Sequence, residues 1–157
     1  MIIIYYYDSV IFNDYEFYIV VKDEIIYSLG LEKPIGIDYV FNKDKLSPYT
    51  TWLTNYFNGN IKPHNFKFNL TGNEFRNKVY SELINIKPGD VKTYKYLASK
   101  INNPKASRAI GNALSKNEIL ILIPCHRIIK SDGSLGGFAE GLELKQLLLT
   151  IEEKATI

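Results

Sequence analysis

The chain has 157 residues, 46% of them hydrophobic and 23% charged, with a net charge of +2. Those are globular values, with room for one ordinary domain or one domain and a small companion, and no apolar run approaches the roughly 18 residues of a membrane helix. The single cysteine, Cys125, excludes an internal disulfide, and with His64 and His126 it makes no recognisable zinc spacing, so neither a metal nor a membrane is expected and a reducing cytosol is the natural compartment.

The start, Met1-Ile-Ile-Ile-Tyr-Tyr-Tyr7, has no basic leader and no small-residue cleavage site, and it reads as a strand. Tyr15 to Val21 and Ile25 to Leu31 are also strand-like, joined by Lys22-Asp23-Glu24, which is short enough for a hairpin. Ser47-Pro48 supplies a cap and a first-turn proline for a helix with the apolar stripe Trp52, Leu53, Tyr56 and Phe57, which Asn58-Gly59 ends. Phe66 to Leu70 alternates and adds an edge strand. This half carries no recognisable chemistry.

A change of texture at Leu70-Thr71-Gly72 places a domain boundary there, giving domains 1–70 and 71–157. Thr71 and Glu74 form a capping box, and Phe75, Val79, Leu83 and Ile86 follow at helical spacing, so a helix is predicted over about 72–86, stopped by Pro88-Gly89. Thr93 caps a second helix to about Ile101, Asn102-Asn103-Pro104 turns the chain, and a third helix runs from Lys105 to Lys116. Two short helices joined in this way read as a helix-turn-helix or as a plain packed pair. Ala106, Ala109, Ile110, Gly111 and Ala113 leave the third helix with a low surface from which Arg108 projects. Between Lys87 and Lys116 seven basic residues face one acid, Asp90. That cluster is either a solvated face or the footprint of an anionic polymer.

Ile119-Leu-Ile-Leu-Ile123 reads as a buried strand that Pro124 must break. Cys125 would then stand at a strand end, directly before His126 and Arg127. It is either a small buried hydrophobe or a nucleophile, because only the thiolate reacts and an adjacent base lowers the thiol pKa. His126, as a base, and Arg127, as a cation, are the candidate neighbours, and Glu152 in the last predicted helix, Leu142 to Glu152, is the carboxylate that could orient His126. Lys130-Ser-Asp-Gly133 makes a turn, and the glycines around Phe138 suggest a loop whose backbone packs against something flat.

Taken together, Pro124-Cys125-His126-Arg127-Ile128, Arg108-Ala-Ile-Gly-Asn-Ala113, Asn117 ahead of the apolar run, Gly136-Gly137-Phe138 and Lys145-Gln-Leu-Leu-Leu-Thr-Ile-Glu152 resemble the O6-alkylguanine-DNA alkyltransferase family, also called methylated-DNA-protein-cysteine methyltransferases. The resemblance runs unbroken from about Phe75 to Glu152. For the first seventy residues it is architectural only. It implies an α+β protein: a small amino-terminal antiparallel sheet with a helix, ribonuclease H-like, before a mostly helical domain with a helix-turn-helix and the active cysteine.

The resemblance implies that Cys125 takes the alkyl group from O6 of a flipped guanine in double-stranded DNA and keeps it, with O4-alkylthymine as a second candidate lesion. Cys125, His126 and Glu152 would form the relay, with a water between cysteine and histidine, and Tyr94 would donate to the guanine ring. Arg108 would fill the gap in a helix docked in the minor groove, with Thr93, Lys105, Ala106, Ala109 and Gly111 beside the DNA. Asn117, Pro124, Phe138, Glu140 and Lys145 would shape or orient the pocket. Phe138 replaces a family tyrosine, and Glu140 stands where most relatives have glycine, at the pocket lip. A monomer without cofactor is expected. Two other readings stay open: a non-enzymatic sensor of alkylated bases, against which the presence of Cys125 argues, and a cysteine hydrolase built on Cys125 and His126.

Overall fold

A computed structural model describes residues 2–156, in which the chain forms two compact units, one up to Leu70 and one from Thr71. In the first, β1 (Tyr5–Phe12), β2 (Tyr15–Lys22) and β3 (Ile25–Gly30) make an antiparallel meander. Asp23 and Glu24 both take positive φ, +52° and +63°, the twist that two-residue hairpins require. The opening strand begins at Tyr5, not Ile2, and Met1 lies outside the described residues. β4 (Tyr39–Phe41), which the sequence pattern does not predict, pairs parallel to β1, and β5 (Lys67–Phe68) pairs parallel to β3. The sheet, ordered β4-β1-β2-β3-β5, is therefore mixed and not antiparallel throughout. Short turns force the central strands to alternate direction, whereas the two edges arrive over longer connections that permit the parallel sense.

α1 (Lys43–Phe57) starts five residues earlier than expected, because Asn42 and not Ser47 caps it, accepting from the Lys45 amide at 2.9 Å. Pro48 consequently falls inside the helix. The helix packs on β1 and β2 and buries Leu46, Leu53 and Tyr56, while Phe57 stacks on Phe12 with ring centroids 4.5 Å apart.

The second unit opens with α2 (Glu74–Ile84), capped by Asn73 and not by Thr71: Asn73 Oδ1 accepts from the Arg76 amide at 2.8 Å. β6 (Lys92–Thr93) leads into α3 (Tyr94–Lys100), capped as expected by Thr93, whose hydroxyl accepts from the Tyr96 amide at 3.0 Å. α4 (Ser107–Ser115) starts two residues later than predicted, since residues 103–106 are spent on a turn closed by the Ala106 amide on the Asn103 carbonyl. It is amphipathic. Ala106, Ile110 and Ala113 point inward, and Ser107, Arg108, Ala109 and Asn112 point out. α5 (Leu142–Ala155) buries Leu144 and Leu148, and Tyr80 of α2 donates to the Ala113 carbonyl at 2.8 Å, tying α2 to the end of α4.

The largest departure from the sequence pattern is Ile119 to Ile123. All five residues are buried, as expected, but after an isolated bridge at Ile119 they form consecutive tight turns in place of a strand. The Leu122 amide bonds the Leu120 carbonyl across Ile121, which takes φ +71°, and the Cys125 amide bonds the Ile123 carbonyl across Pro124 at φ −83°, ψ 65°. Both are γ-turns, and the first is the rare, strained kind. A β-branched residue at positive φ costs of order 1–3 kcal/mol and persists only where its surroundings dictate it. Here burial on every side supplies the need. Cys125 accordingly sits in a single 3-10 turn, Cys125–Arg127, which feeds β7 (Ile128–Ile129), parallel to β6.

Candidate active site

Asn117 holds the turned segment together. Its Nδ2 donates to the Ile123 carbonyl at 2.8 Å and to Cys125 Sγ at 3.2 Å, while its Oδ1 accepts from the Ile119 amide at 3.0 Å. One buried amide thus does the work of a strand ladder and positions the sulfur at the same time. Burial pushes the Cys125 thiol up to about 11, with the Asn117 bond pulling the other way. Against the expectation that an adjacent group lowers the thiol pKa, desolvation outweighs the favourable contacts, and the thiol is protonated near neutrality.

His126 lies next to Cys125 in sequence, and its ring meets Glu152. Nε2 and Glu152 Oε2 are 2.7 Å apart, and both side chains are fully buried. Arg127, expected with His126 as a neighbour that lowers the Cys125 pKa, instead grips the same carboxylate with two bonds, Nε to Oε1 at 2.7 Å and Nη2 to Oε2 at 2.8 Å, and spends Nη1 on the Ile86 carbonyl at 2.6 Å. Burial alone raises the Glu152 carboxyl, but the His126 and Arg127 charges and hydrogen bonds hold it at about 2. Burial lowers the His126 pKa, so the imidazole is neutral near pH 7. With Nε2–H donating to an ionised Glu152, Nδ1 is an acceptor, and it is buried with no hydrogen-bond partner among the described residues. A charge amid apolar residues, as Arg127 is, is the one sequence signal that could have announced the grip, because a buried guanidinium needs a carboxylate.

Cys125 forms part of the wall of a cleft of about 360 Å³, with Tyr94, Gly111, Leu114, Ser115 and Phe138 around it. Tyr94 is half-buried, and burial raises its hydroxyl pKa. The flat partner expected for the glycine loop is Tyr94 itself: a Cβ on Gly136, at φ +75°, would lie 3.2 Å from the Tyr94 hydroxyl. The loop is fastened by Lys145. This fully buried ammonium donates to the carbonyls of Ile128 at 2.6 Å, Leu135 at 2.5 Å and Gly137 at 3.2 Å, and burial brings its pKa down to about 8. Lys145→Met should release the loop, because charge-assisted bonds of this kind contribute about 1.5–3 kcal/mol each. Amide exchange at Gly136 and Phe138 should then quicken by about ten-fold or more. Unchanged protection there would show that the loop stands without Lys145.

The other expected site residues divide. Arg108, Lys105 and Ala109 are exposed and Gly111 half-exposed, but Ala106 is 4% exposed and belongs to the core, not to the outward face of α4. It lies on the Ile110 and Ala113 side of the helix. The Thr93 hydroxyl is committed to capping α3. Pro124 is buried within its turn. Glu140 is half-buried beside the cleft wall.

Comparison with known proteins matches residues 74–154 to a family model described as 6-O-methylguanine DNA methyltransferase, DNA binding domain. The chain belongs to this methyltransferase family. A methylated-DNA–protein-cysteine methyltransferase of Methanosarcina mazei is 42% identical over 116 residues, 74% of this chain and 73% of that one. An inducible methylated-DNA–protein-cysteine methyltransferase of Bacillus subtilis is 35% identical over 164 residues, 96% of this chain and 92% of that one. Among solved structures, Mycobacterium tuberculosis OGT in complex with DNA superposes with a TM-score of 0.87 at 27% identity, covering 96% of this chain and 94% of that one. All the catalytic candidates, Tyr94, Cys125, His126 and Glu152, lie inside the matched segment.

Proposed function

We infer that this protein repairs DNA by direct damage reversal, moving the alkyl group of O6-alkylguanine irreversibly to Cys125. The observation that carries this reading is the placement of the sole cysteine on the wall of a small cleft beside Tyr94, next in sequence to a buried His126 that pairs with Glu152 and whose Nδ1 has no partner among the described residues. The family relationship and the DNA-bound relative support it. O6 lies inside the duplex, so the guanine must be flipped out at about a few kcal/mol. α3 and α4 act as a helix-turn-helix that enters the minor groove with the outward face of α4. Arg108 fills the gap in the stack, Ala109 and Gly111 let the backbone approach, and Lys105 with the other lysines holds phosphates. Thr93 serves by holding the start of α3, where Tyr94 stands. The first unit is a ribonuclease H-like structural domain, and the second carries DNA binding and chemistry.

With the thiol protonated at rest, the nucleophile forms only when substrate is in place. The thiol proton passes through a water to His126 Nδ1, and Glu152 steadies the resulting imidazolium. Sγ bonds the alkyl carbon as the carbon–O6 bond breaks with its electrons to guanine, which takes up one proton, balancing the one the thiol gave. Tyr94 stabilises the leaving base by hydrogen bonding. A thioether has no route back, so each molecule acts once. Every group in this scheme belongs to one chain, which supports a monomer without cofactor, and a lone reactive thiol suits the cytosol.

Intact-mass spectrometry after incubation with duplex DNA carrying O6-methylguanine should show a gain of one methylene unit, mapped to Cys125 and absent from Cys125→Ala. Tight binding with no gain in mass would sink the transfer reading and favour a sensor.

A further inference from the structure

The cleft beside Cys125 is built from uncharged side chains, among them Tyr94, Leu114, Ser115 and Phe138. The buried cations of the unit are already engaged: Lys145 with three carbonyls, Arg127 with Glu152 and the Ile86 carbonyl. Glu140 is different. It follows Ala139, itself part of the cleft wall, is half-buried, and makes no hydrogen bond or ion pair with another side chain among the described residues. Its charge reaches the sulfur: after burial, which raises the thiol, and the Asn117 bond, which lowers it, Glu140 is the next influence on Cys125, and it raises it. A half-buried carboxylate with no partner side chain among the described residues therefore projects its field into a low-dielectric cleft where a thiolate must form and an alkyl group must sit, with Lys145 acting on the sulfur in the opposite sense.

We propose that Glu140 makes the protein select O6 adducts by charge, accepting neutral alkyl groups and rejecting anionic ones such as carboxymethyl. This rests on the alkyl-transfer reading above and extends it from the reaction to the class of substrate. The chemistry is the same for every adduct: Sγ bonds the O6-linked carbon, the carbon–O6 bond breaks with its electrons to guanine, and guanine gains the proton the thiol lost. Only the field that the adduct meets changes. Size is held constant by comparing O6-carboxymethylguanine with O6-carbamoylmethylguanine, which is nearly isosteric and uncharged.

The test measures second-order transfer rates for duplexes carrying O6-methylguanine, O6-carbamoylmethylguanine or O6-carboxymethylguanine. The intact protein should prefer the carbamoylmethyl to the carboxymethyl adduct by roughly ten-fold or more, as expected for two like charges in a partly buried site. Glu140→Gln should shrink that ratio toward one, and Glu140→Lys should invert it. Glu143→Gln, which removes the same charge from an exposed position in the first turn of α5, should leave the ratio where it was. Equal rates for the two adducts in the intact protein, a ratio unmoved by Glu140→Gln, or an equal response to Glu143→Gln would each overturn the proposal. The methyl adduct separates this from the broader reading: no transfer of methyl would refute alkyl transfer itself.

Discussion

Glu152→Gln should destabilise the second unit by about 3–5 kcal/mol, the usual consequence of removing one partner from a buried ion pair. The carboxylate serves a cation and a neutral imidazole at once, accepting from Arg127 at 2.7 and 2.8 Å and facing His126 at 2.7 Å, and all three side chains are buried. A glutamine offers one acceptor and brings an NH2 group against donors, leaving the guanidinium unpaired in the core. The pH dependence should change with it. The Glu152 carboxyl lies at about 2 in the folded protein against an ordinary 4.5, so its stabilisation is complete above about pH 4.5 and is lost as pH falls toward 2. By linkage that amounts to roughly 3 kcal/mol, and His126, kept neutral by burial, adds an acid-side loss that begins below its ordinary 6.5. Urea unfolding between pH 7 and 3 should show a steep fall in the wild type and a shallower one in Glu152→Gln, from a lower start. Parallel pH profiles would mean that the carboxylate does not anchor the fold. Alkyl transfer should be lost as well, even in whatever fraction stays folded, because His126 would lose the charge that steadies its protonated form.

Methylation of Cys125 should cost about 1–3 kcal/mol, the range for adding a group to a packed site. Sγ is 4% exposed with its residue and lies 3.2 Å from Asn117 Nδ2, so a methyl on sulfur must displace that amide or the turn behind it. The thioether is also a poorer acceptor than the thiol it replaces. Asn117 follows directly on α4 and is the side chain that closes the 119–123 turns, so its movement loosens both the strained segment and the end of the proposed DNA-binding helix. The alkylated protein should melt several degrees lower than the free protein, exchange amides faster over residues 107–123, and bind undamaged DNA more weakly. Asn117→Ala should reproduce the looser turn without any alkyl group. Equal melting temperatures of free and methylated protein would contradict the clamp.

Local rules located most of the elements. The meander and its Asp23-Glu24 turn, α3 behind its Thr93 cap, and the glycine loop against a flat ring all follow from propensities and turn residues acting over a few positions. At two helix starts an asparagine, Asn42 or Asn73, out-competes the residue that the pattern favoured, and at α4 a turn over residues 103–106 takes up the expected first residues. The edge strand β4 was invisible because three residues with two exposed side chains carry no periodic signal.

Around Pro124-Cys125-His126-Arg127 the sequence alone established the residue types, their order and, through resemblance, the family to which the comparisons assign the chain. It could not establish the shape. Ile119 to Ile123 has the composition of a buried strand, and nothing within five residues distinguishes burial in a ladder from burial in a knot of γ-turns. Asn117 decides that from outside the run, by taking over the hydrogen bonds a neighbouring strand would have made. The same holds for Arg127 on Glu152, 25 positions away, and for Lys145 on the carbonyls that frame the cleft. Periodicity and capping are written in the nearest neighbours, so sequence suffices for them. The partner of a buried charge, and the pKa that burial imposes on Cys125, depend on which distant side chains share the same small volume, and only the folded chain brings those together.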